Sequence, residues 1–479
     1  MSTLDQTAAL KVAEAPGIAP AKRGAALALL AFAQLMISLD LNIVFVALPD
    51  IGAGLGFSGQ TLQWVVSAYT VFCGGFLLFG GRAADLIGQR RIFIFALWLY
   101  ALSSLAGGLA WSPAIIIAAR AVQGIGGAFL FPATLSLVNR LFTEGPERNR
   151  ALAVWGGAGA SGLTIGSLAG GFLTSAFGWP SVFYVNVLLA ALAIVAAFAI
   201  IPADPKRHAH RKFDLPGALT VTGGATLLVF TLVQGPEYGW SSPAIIASAI
   251  LAVSLLITFT IIEAKSTDPL MPLRLFRNRS LVAGMTITFL YMGTFGALPY
   301  FLTILLQNVH GFTALQTGLA FLVPSIAIAT GTQVGERLAN RFSTRATLIG
   351  GMIIGAIGTA LMVAGATVDS TYMAIVPGLI VSGIGQGIVW TGMWIAAASG
   401  VAHDEQGVAS GMASTTLNVG NAVGMAILIA LANRSVSDLT GEELRVAMAN
   451  GIQLAFWLAC AGIVASLVFA MMLPAKPRG

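Results

Sequence analysis

The sequence predicts an all-α integral membrane protein with fourteen transmembrane helices. Three observations predict it: a deficit of charge, a series of long unbroken apolar runs, and a one-sided distribution of lysine and arginine. Of the 479 residues, 57% are apolar and only 9% are charged. A soluble domain carries about 25% charged residues, so this chain cannot coat a water-facing surface. The mean hydropathy of +0.86 belongs to a chain whose solvent is mostly lipid. Apolar residues run the whole length without a short repeat, which excludes disordered and fibrous classes.

The runs themselves decide between helix and barrel. A transmembrane strand alternates polar and apolar residues over about ten positions, whereas a spanning helix needs roughly 20 continuous apolar residues. Fourteen stretches meet the second description: 24–48, 60–80, 92–111, 113–138, 151–175, 182–201, 215–234, 243–262, 280–305, 313–334, 346–366, 373–396, 406–432 and 451–473. Orientation follows from the basic residues, which concentrate on the cytoplasmic side of membrane proteins. The tails and one parity of connectors hold 22 of the 25 lysines and arginines. The other parity has only Arg434 and Arg445, and Arg120 lies inside a span. Both termini are therefore expected in the cytoplasm, in a multi-pass protein of the inner (plasma) membrane, and the number of spans is expected to be even.

Residues 1–23 are polar and alanine-rich, with no apolar core leading to a cleavage site, so no removable signal is expected. The net charge of +6 does not imply nucleic acid, because the basic residues are dispersed over connectors. Cys73 and Cys460 lie in apolar runs and read as small hydrophobes. His208, His210, His310 and His403 show no ligand spacing, so no metal site is expected. No phosphate-cradling loop and no connector long enough for a soluble domain is present, so no cofactor and no obligate ATPase are expected.

Helix 1 carries Asp40, the only acid well inside a span; a carboxylate there costs about 2.5–3.5 kcal/mol and needs a partner or a wet cavity. Helix 4 carries Arg120, its only basic counterpart. Asp40 precedes Pro49 by about 13 Å of helix and Arg120 follows Pro113 by about 10 Å, at ~1.5 Å per residue, so the two sit at similar depth on antiparallel helices. One reading is a static ion pair that pins two helices. The other is a proton switch: burial in lipid and a nearby guanidinium act on a carboxyl in opposite directions, which leaves it able to titrate. Gln34, Ser38 and Asn42 form a second polar stripe on helix 1, roughly away from Asp40, and are candidates for lining a substrate cavity, the alternative being that this face packs on a neighbour.

Helix 5 is dense in glycine. Gly162, Gly166 and Gly170 are successive small-xxx-small steps that let helices approach closely, and Gly171 adjoins them. Helices 12 and 13 carry similar glycines. Gln123 in helix 4, Phe289, Tyr291 and Phe295 in helix 9, and Trp390 and Trp394 in helix 12 are candidates for a substrate wall, while Tyr300 and Phe301 read as an interfacial belt. An internal echo relates AADLIGQRR from Ala83 to LANRFSTRA from Leu338, with Gly80 on Gly335 and Arg90 on Arg345. It implies two six-helix bundles, 24–201 and 280–473, an inserted helix pair with linkers at 202–279, and cytoplasmic tails at 1–23 and 474–479, an organisation of transporters.

These residues resemble a known family, the fourteen-span drug:proton antiporters of the major facilitator superfamily. GRAADLIGQRR from Gly81 is similar to the superfamily signature between helices 2 and 3. The resemblance implies that Gly81, Asp85, Gly88, Arg90 and Arg91 latch the two halves in a conformation-dependent way. RAVQGIGGA resembles the helix 4 signature and implies a role for Arg120 in proton coupling. LDLNIVFVALP from Leu39 resembles the helix 1 signature, with Asp40 at its acidic position. The chain departs from the family where helix 5 has Ser167 after Gly166 instead of proline, and where Trp179, Pro180 and Ser181 replace a W-R-W run.

Function is expected to be proton-coupled export of small, largely apolar organic compounds, with the substrate, protons and the bilayer as partners. A lipid or lipid-linked exporter is the alternative. A membrane enzyme would need catalytic acids or histidines gathered at one face, and the connectors offer only scattered ones.

Overall fold

The computed structural model describes residues 20–58, 61–143, 146–204, 214–266, 269, 271, 273–401, 406–436 and 439–473. Among these the chain is helical throughout: α1 (Pro20–Leu55), α2 (Trp64–Ile87), α3 (Gln89–Gly108), α4 (Pro113–Leu141), α5 (Pro146–Phe177), α6 (Ser181–Ile200), α7 (Leu215–Tyr238), α8 (Pro243–Lys265), α9 (Arg279–Thr294), α10 (Leu298–Ile304), α11 (Ala314–Ala320), α12 (Leu322–Arg341), α13 (Thr344–Ala364), α14 (Tyr372–Ala398), α15 (Gln406–Ala432) and α16 (Gly441–Met471). Among the described residues, eleven helical segments are long and apolar enough to cross a membrane, and α2 and α7 contribute shorter apolar stretches. The tails 1–19 and 474–479 lie outside the described residues.

Two of the apolar stretches are broken, and proline supplies the reason. Pro299 has no N–H to offer the Phe295 carbonyl, and the chain passes through a 3-10 turn at Phe295–Ala297 before α10. That carbonyl accepts instead from the Leu298 N–H within the 3-10 turn and, at 3.4 Å, from the Gln386 side chain. Pro324 likewise withholds a donor from the Ala320 carbonyl, α11 ends there, and the Tyr372 hydroxyl donates to it at 2.7 Å. Backbone groups freed inside lipid are re-satisfied by neighbouring helices, as they must be.

The packing repeats along the chain. Helix α1 lies on α5 as α9 lies on α15, and α2 on α4 as α12 on α14. Helix α3 packs on α4 and α6 as α13 packs on α14 and α16. The register read from the echo appears in the contacts: Gly80 is where α2 meets Ala128 of α4, and Gly335 is where α12 meets Ile388 of α14. Helices α7 and α8 pack on each other, and α7 rests on both α2 and α15.

The two ends of the molecule differ. At the far end, where α1 finishes, one apolar cluster joins α1 residues Leu39 to Ile51 with Tyr291, Phe301, Leu305 and Leu306. At the near end, where α1 begins, the N-terminal helices form a cluster of their own around Leu30, Met36, Phe93, Leu130 and Leu137, which takes in no residue of α9–α16. The polar cross-ties agree: Gln307 donates to the Val46 carbonyl at 2.9 Å, and the Leu315 N–H to the Ser175 hydroxyl at 3.2 Å. Tyr300 and Phe301 belong to this far-end core, 4% and 2% exposed, and not to an interfacial belt. The contact of α1 with α10 draws them inward, a relationship that apolar content alone does not reveal.

Candidate functional site

Five helices bring one ionic network together. Asp40 of α1 and Arg120 of α4 are 0% and 1% exposed, and Arg120 Nη1 donates to Asp40 Oδ2 at 2.6 Å. Asp40 Oδ1 accepts from Asn186 Nδ2 of α6 at 2.6 Å and from Gln123 Nε2 of α4 at 3.0 Å. The Gln123 carbonyl oxygen accepts from Arg120 Nη1 at 2.7 Å, and its amide also donates to Ser104 Oγ of α3 at 2.9 Å. Arg120 Nε donates to the Val65 carbonyl of α2 at 2.8 Å, and the guanidinium lies 4.5 Å over the Tyr69 ring. A buried charge persists only when paired and hydrogen-bonded, and both partners here meet that requirement. The i, i+3 spacing on α4 puts Arg120 and Gln123 on one face, which is why a single glutamine can serve both ends of the pair.

Sequence reasoning paired Asp40 with Arg120 and did not find Asn186, Ser104, Tyr69 or the Val65 carbonyl. Asn186 was findable: an amide inside an apolar span has to be satisfied by a neighbouring helix. The repeat carries the same geometry without charge. Ser382 of α14 and Thr359 of α13 hydrogen-bond at 3.1 Å where Gln123 meets Ser104 in the first half. The ionic centre therefore exists in the N-terminal repeat only, among the described residues.

The other face of α1 is fixed by helix 5. A Cβ on Gly162 would lie 2.6 Å from the Leu35 carbonyl, on Gly166 2.5 Å from that of Leu39, and on Gly170 2.8 Å from that of Ile43. A Cβ on Gly171 would lie 2.7 Å from a different partner, the Ala314 carbonyl of α11, and one on Gly318 of α11 would lie 2.5 Å from the carbonyl of Ser167, in the family's proline position. Gln34 and Ser38, expected in a cavity wall, abut the Gly159 and Gly162 stretch of α5, while Asn42 is half-buried one turn on.

The aromatic candidates do assemble. Trp394 and Trp390 lie 5.9 Å apart, Trp390 and Tyr291 5.6 Å, and Tyr291 and Phe295 5.3 Å, forming a ladder from the near end toward mid-depth. Exposure falls along it, from 37% at Trp390 to 6% at Tyr291 and 1% at Phe295, so Phe295 backs the ladder and does not line a surface. Phe289 stands apart, its carbonyl against Gly420 of α15. Gln123 is absorbed by the ionic network.

The signature between α2 and α3 meets a residue the sequence did not single out. Gly88 has φ +123, and a Cβ there would strike the Asp204 carboxylate. Asp204 Oδ1 accepts from the Arg90 N–H at 3.0 Å and from Arg140 Nη1 at 2.8 Å, and Oδ2 from the Arg91 N–H at 3.1 Å. The carboxylate thereby caps α3 at its positive end. Partial burial pushes its pKa up, but the Arg90 and Arg91 N–H groups and the Arg140 guanidinium outweigh burial and hold it below the usual carboxylate range. Arg90 Nη2 donates to the Phe198 carbonyl at 3.0 Å. Gly81 lies 3.7 Å, as a Cβ, from Pro132 of α4. The Asp85 side chain lies outside the described residues. On the same end, Glu147 is held below its ordinary value by the Thr143 hydroxyl first and by Arg23, whose Nη1 is 3.2 Å away.

Among the described residues no cluster of potential metal ligands is present. The profile of the Major Facilitator Superfamily matches residues 30–425. The cephamycin export protein CmcT of Amycolatopsis lactamdurans is 36% identical over 425 residues, 87% of this chain and 86% of that protein. The puromycin resistance protein pur8 of Streptomyces alboniger is 36% identical over 404 residues, 83% of this chain and 79% of that protein. Among solved structures, the D-xylose-proton symporter superposes with a TM-score of 0.68 over 94% of this chain and 98% of that one, at 14% identity. The transporter PepTSo gives 0.67 over 95% and 98%, at 17% identity. These relationships make the protein a membrane transporter and not an enzyme. The chain belongs to the Major Facilitator Superfamily.

Proposed function

We propose that the protein is a proton-driven antiporter exporting small, largely apolar organic compounds by alternating access between residues 24–201 and 280–473. The observation that carries this reading is the Asp40–Arg120 pair, an acid and a base at the buried junction of five helices. A proton on Asp40 removes the charge that holds Arg120 and Gln123, and the packing of α1 against α4 and α6 loses its tie. Because α1 is also seated on the glycine face of α5, a shift there moves both faces of the helix. A ligand moves a two-state equilibrium only by its differential affinity, and here the proton supplies that difference.

Downhill proton entry supplies about 2.3 kcal/mol per charge per 100 mV, without any cofactor. The relatives' names, cephamycin export and puromycin resistance, support an exported natural product or drug. The aromatic ladder from Trp394 to Tyr291 supplies an apolar wall for such a compound. The basic near end is cytoplasmic in this reading, with both termini, in a fourteen-span protein of the plasma membrane. The halves are joined at the far end and have separate cores at the near end, so this conformation opens to the cytoplasm. Gly81, Asp85, Gly88, Arg90 and Arg91 then form a latch that engages when the near end closes, and in this conformation Asp204 holds its arginines.

The test is transport in proteoliposomes with an imposed pH gradient and a panel of fluorescent and natural-product substrates. Wild type is expected to concentrate apolar compounds against their gradient, and Asp40→Asn to insert normally and lose uphill transport. Uphill transport by Asp40→Asn would overturn the coupling role.

A further inference from the structure

The two seams between the repeats are related by the same pseudo-symmetry and are not alike. One is formed by α2 and α15, the other by α5 with α11 and α12. Helix α7 covers the first. Thr222 Oγ1 of α7 donates to the Gly75 carbonyl of α2 at 2.8 Å, and a Cβ at Gly75 would lie 3.1 Å from Thr226 Oγ1. One turn further, Phe230 of α7 packs 6.3 Å from the Trp64 ring, in a cluster that includes Ala68 and Val71 of α2 and Ala426 of α15. Beneath this cover, a Cβ on Gly74 of α2 would lie 2.6 Å from the Asn418 side chain of α15.

The second seam is held toward the far end, where, among the described residues, Ser167 and Gly171 of α5 meet Gly318 and Ala314 of α11. Following the same face of α5 toward the near end at helical spacing leads to Gly157. A Cβ at Gly156 or Gly157 would meet nothing within 4 Å among the described residues. On the opposing α12, Ile326, Ala329, Gln333 and Glu336 recur at helical spacing and are all exposed, Ile326 by 61%. That face is apolar at mid-depth and turns polar toward the near end, an arrangement matched to an amphiphile with its tail in the bilayer core and its polar end at headgroup level.

We infer that the α5–α12 seam is a lateral portal through which an amphiphilic compound dissolved in the near-end leaflet enters the space between the repeats, and that α7 closes the mirror seam. The inference rests on the exporter reading for the identity of its cargo. The inserted pair thereby restricts bilayer access to one side of the molecule.

The test separates the portal from the transport function. In a Cys73→Ala, Cys460→Ala background, bimane is attached to Gly157→Cys or Ile326→Cys at the open seam, or to Thr226→Cys on the face of α7 turned toward α2. The proteins are reconstituted in vesicles containing brominated phosphatidylcholine, which quenches only on contact. Both open-seam probes are expected to lose at least half their emission and the Thr226 probe to keep nearly all of it. No quenching at Gly157, or equal quenching at all three, overturns the inference. Gly157→Trp is then expected to keep the wild-type unfolding temperature and to lower export of a bilayer-partitioning dye at least tenfold; undiminished export of that dye also overturns it. Failure of wild type to export any compound, with the quenching pattern intact, would count against the exporter reading and leave the portal standing.

Discussion

Asp40 and Arg120, eighty residues apart in the chain, form a 2.6 Å salt bridge with side chains 0% and 1% exposed. Removing one member of a buried pair strands the other. Arg120→Leu is therefore expected to destabilise the protein by about 3–5 kcal/mol. Adding Asp40→Asn to it should restore much of the loss, because Asn186 and Gln123 can still bond a neutral amide. Thermal unfolding in detergent measures both. A double variant no more stable than Arg120→Leu would show that the pair does not act as a unit.

The α1–α5 contact predicts a contrast between glycines of one helix. At Gly166 a Cβ would lie 2.5 Å from the Leu39 carbonyl, whereas at Gly156 it would meet nothing within 4 Å among the described residues. Gly166→Ala is expected to cost about 1–3 kcal/mol through forced separation of the helices. Gly156→Ala should be neutral or gain up to about 1 kcal/mol from helix propensity. Unfolding temperatures and export rates of the two variants should diverge accordingly.

Asp204 predicts an acid sensitivity. Its folded pKa is held below the ordinary value, so its contribution to stability is complete above about 3.9 and is lost as pH falls below that through the folded value. Asp204→Asn should remove about 1.5–3 kcal/mol at neutral pH through the lost charge-assisted bonds. It should also flatten the decline of unfolding temperature between about pH 5 and 3 relative to wild type. An unchanged acid profile would mean that the cap on α3 contributes little.

The aromatic ladder predicts a binding effect without a stability effect. Trp390 is 37% exposed and ends the buried run through Tyr291. Trp390→Ala should weaken a planar aromatic substrate by about 0.5–1.5 kcal/mol, up to roughly tenfold in KM. The same variant should leave export of a small aliphatic compound within about twofold. Equal losses for both compounds would place the ladder away from the substrate.

Much of this was legible in the residues. Too little charge for a water-facing surface, continuous apolar runs and basic residues on one parity of connectors are sums over local sequence, and they specify a helical membrane protein. Asp40 and Arg120 stood out because a lone charge in lipid is expensive wherever the chain goes. Their hydrogen-bond partners did not stand out, because Asn186, Ser104 and the Val65 carbonyl are ordinary until three other helices converge on them. Gln34 and Ser38 illustrate the converse: a polar stripe on a helix marks a face, and only the neighbour decides whether that face meets a cavity or the glycines of α5.

By itself the sequence determined the environment, the helices and the two members of a buried ion pair, since burial cost, hydropathy and helical period act residue by residue. The tertiary structure alone decided that Asp204 caps α3, that the near-end cores are separate, and that α7 covers one seam while a Cβ on Gly157 at the other would meet nothing within 4 Å among the described residues. Each of these depends on where two segments distant in the chain come to rest, and contacts of that kind are set by packing against a third element that neither segment encodes.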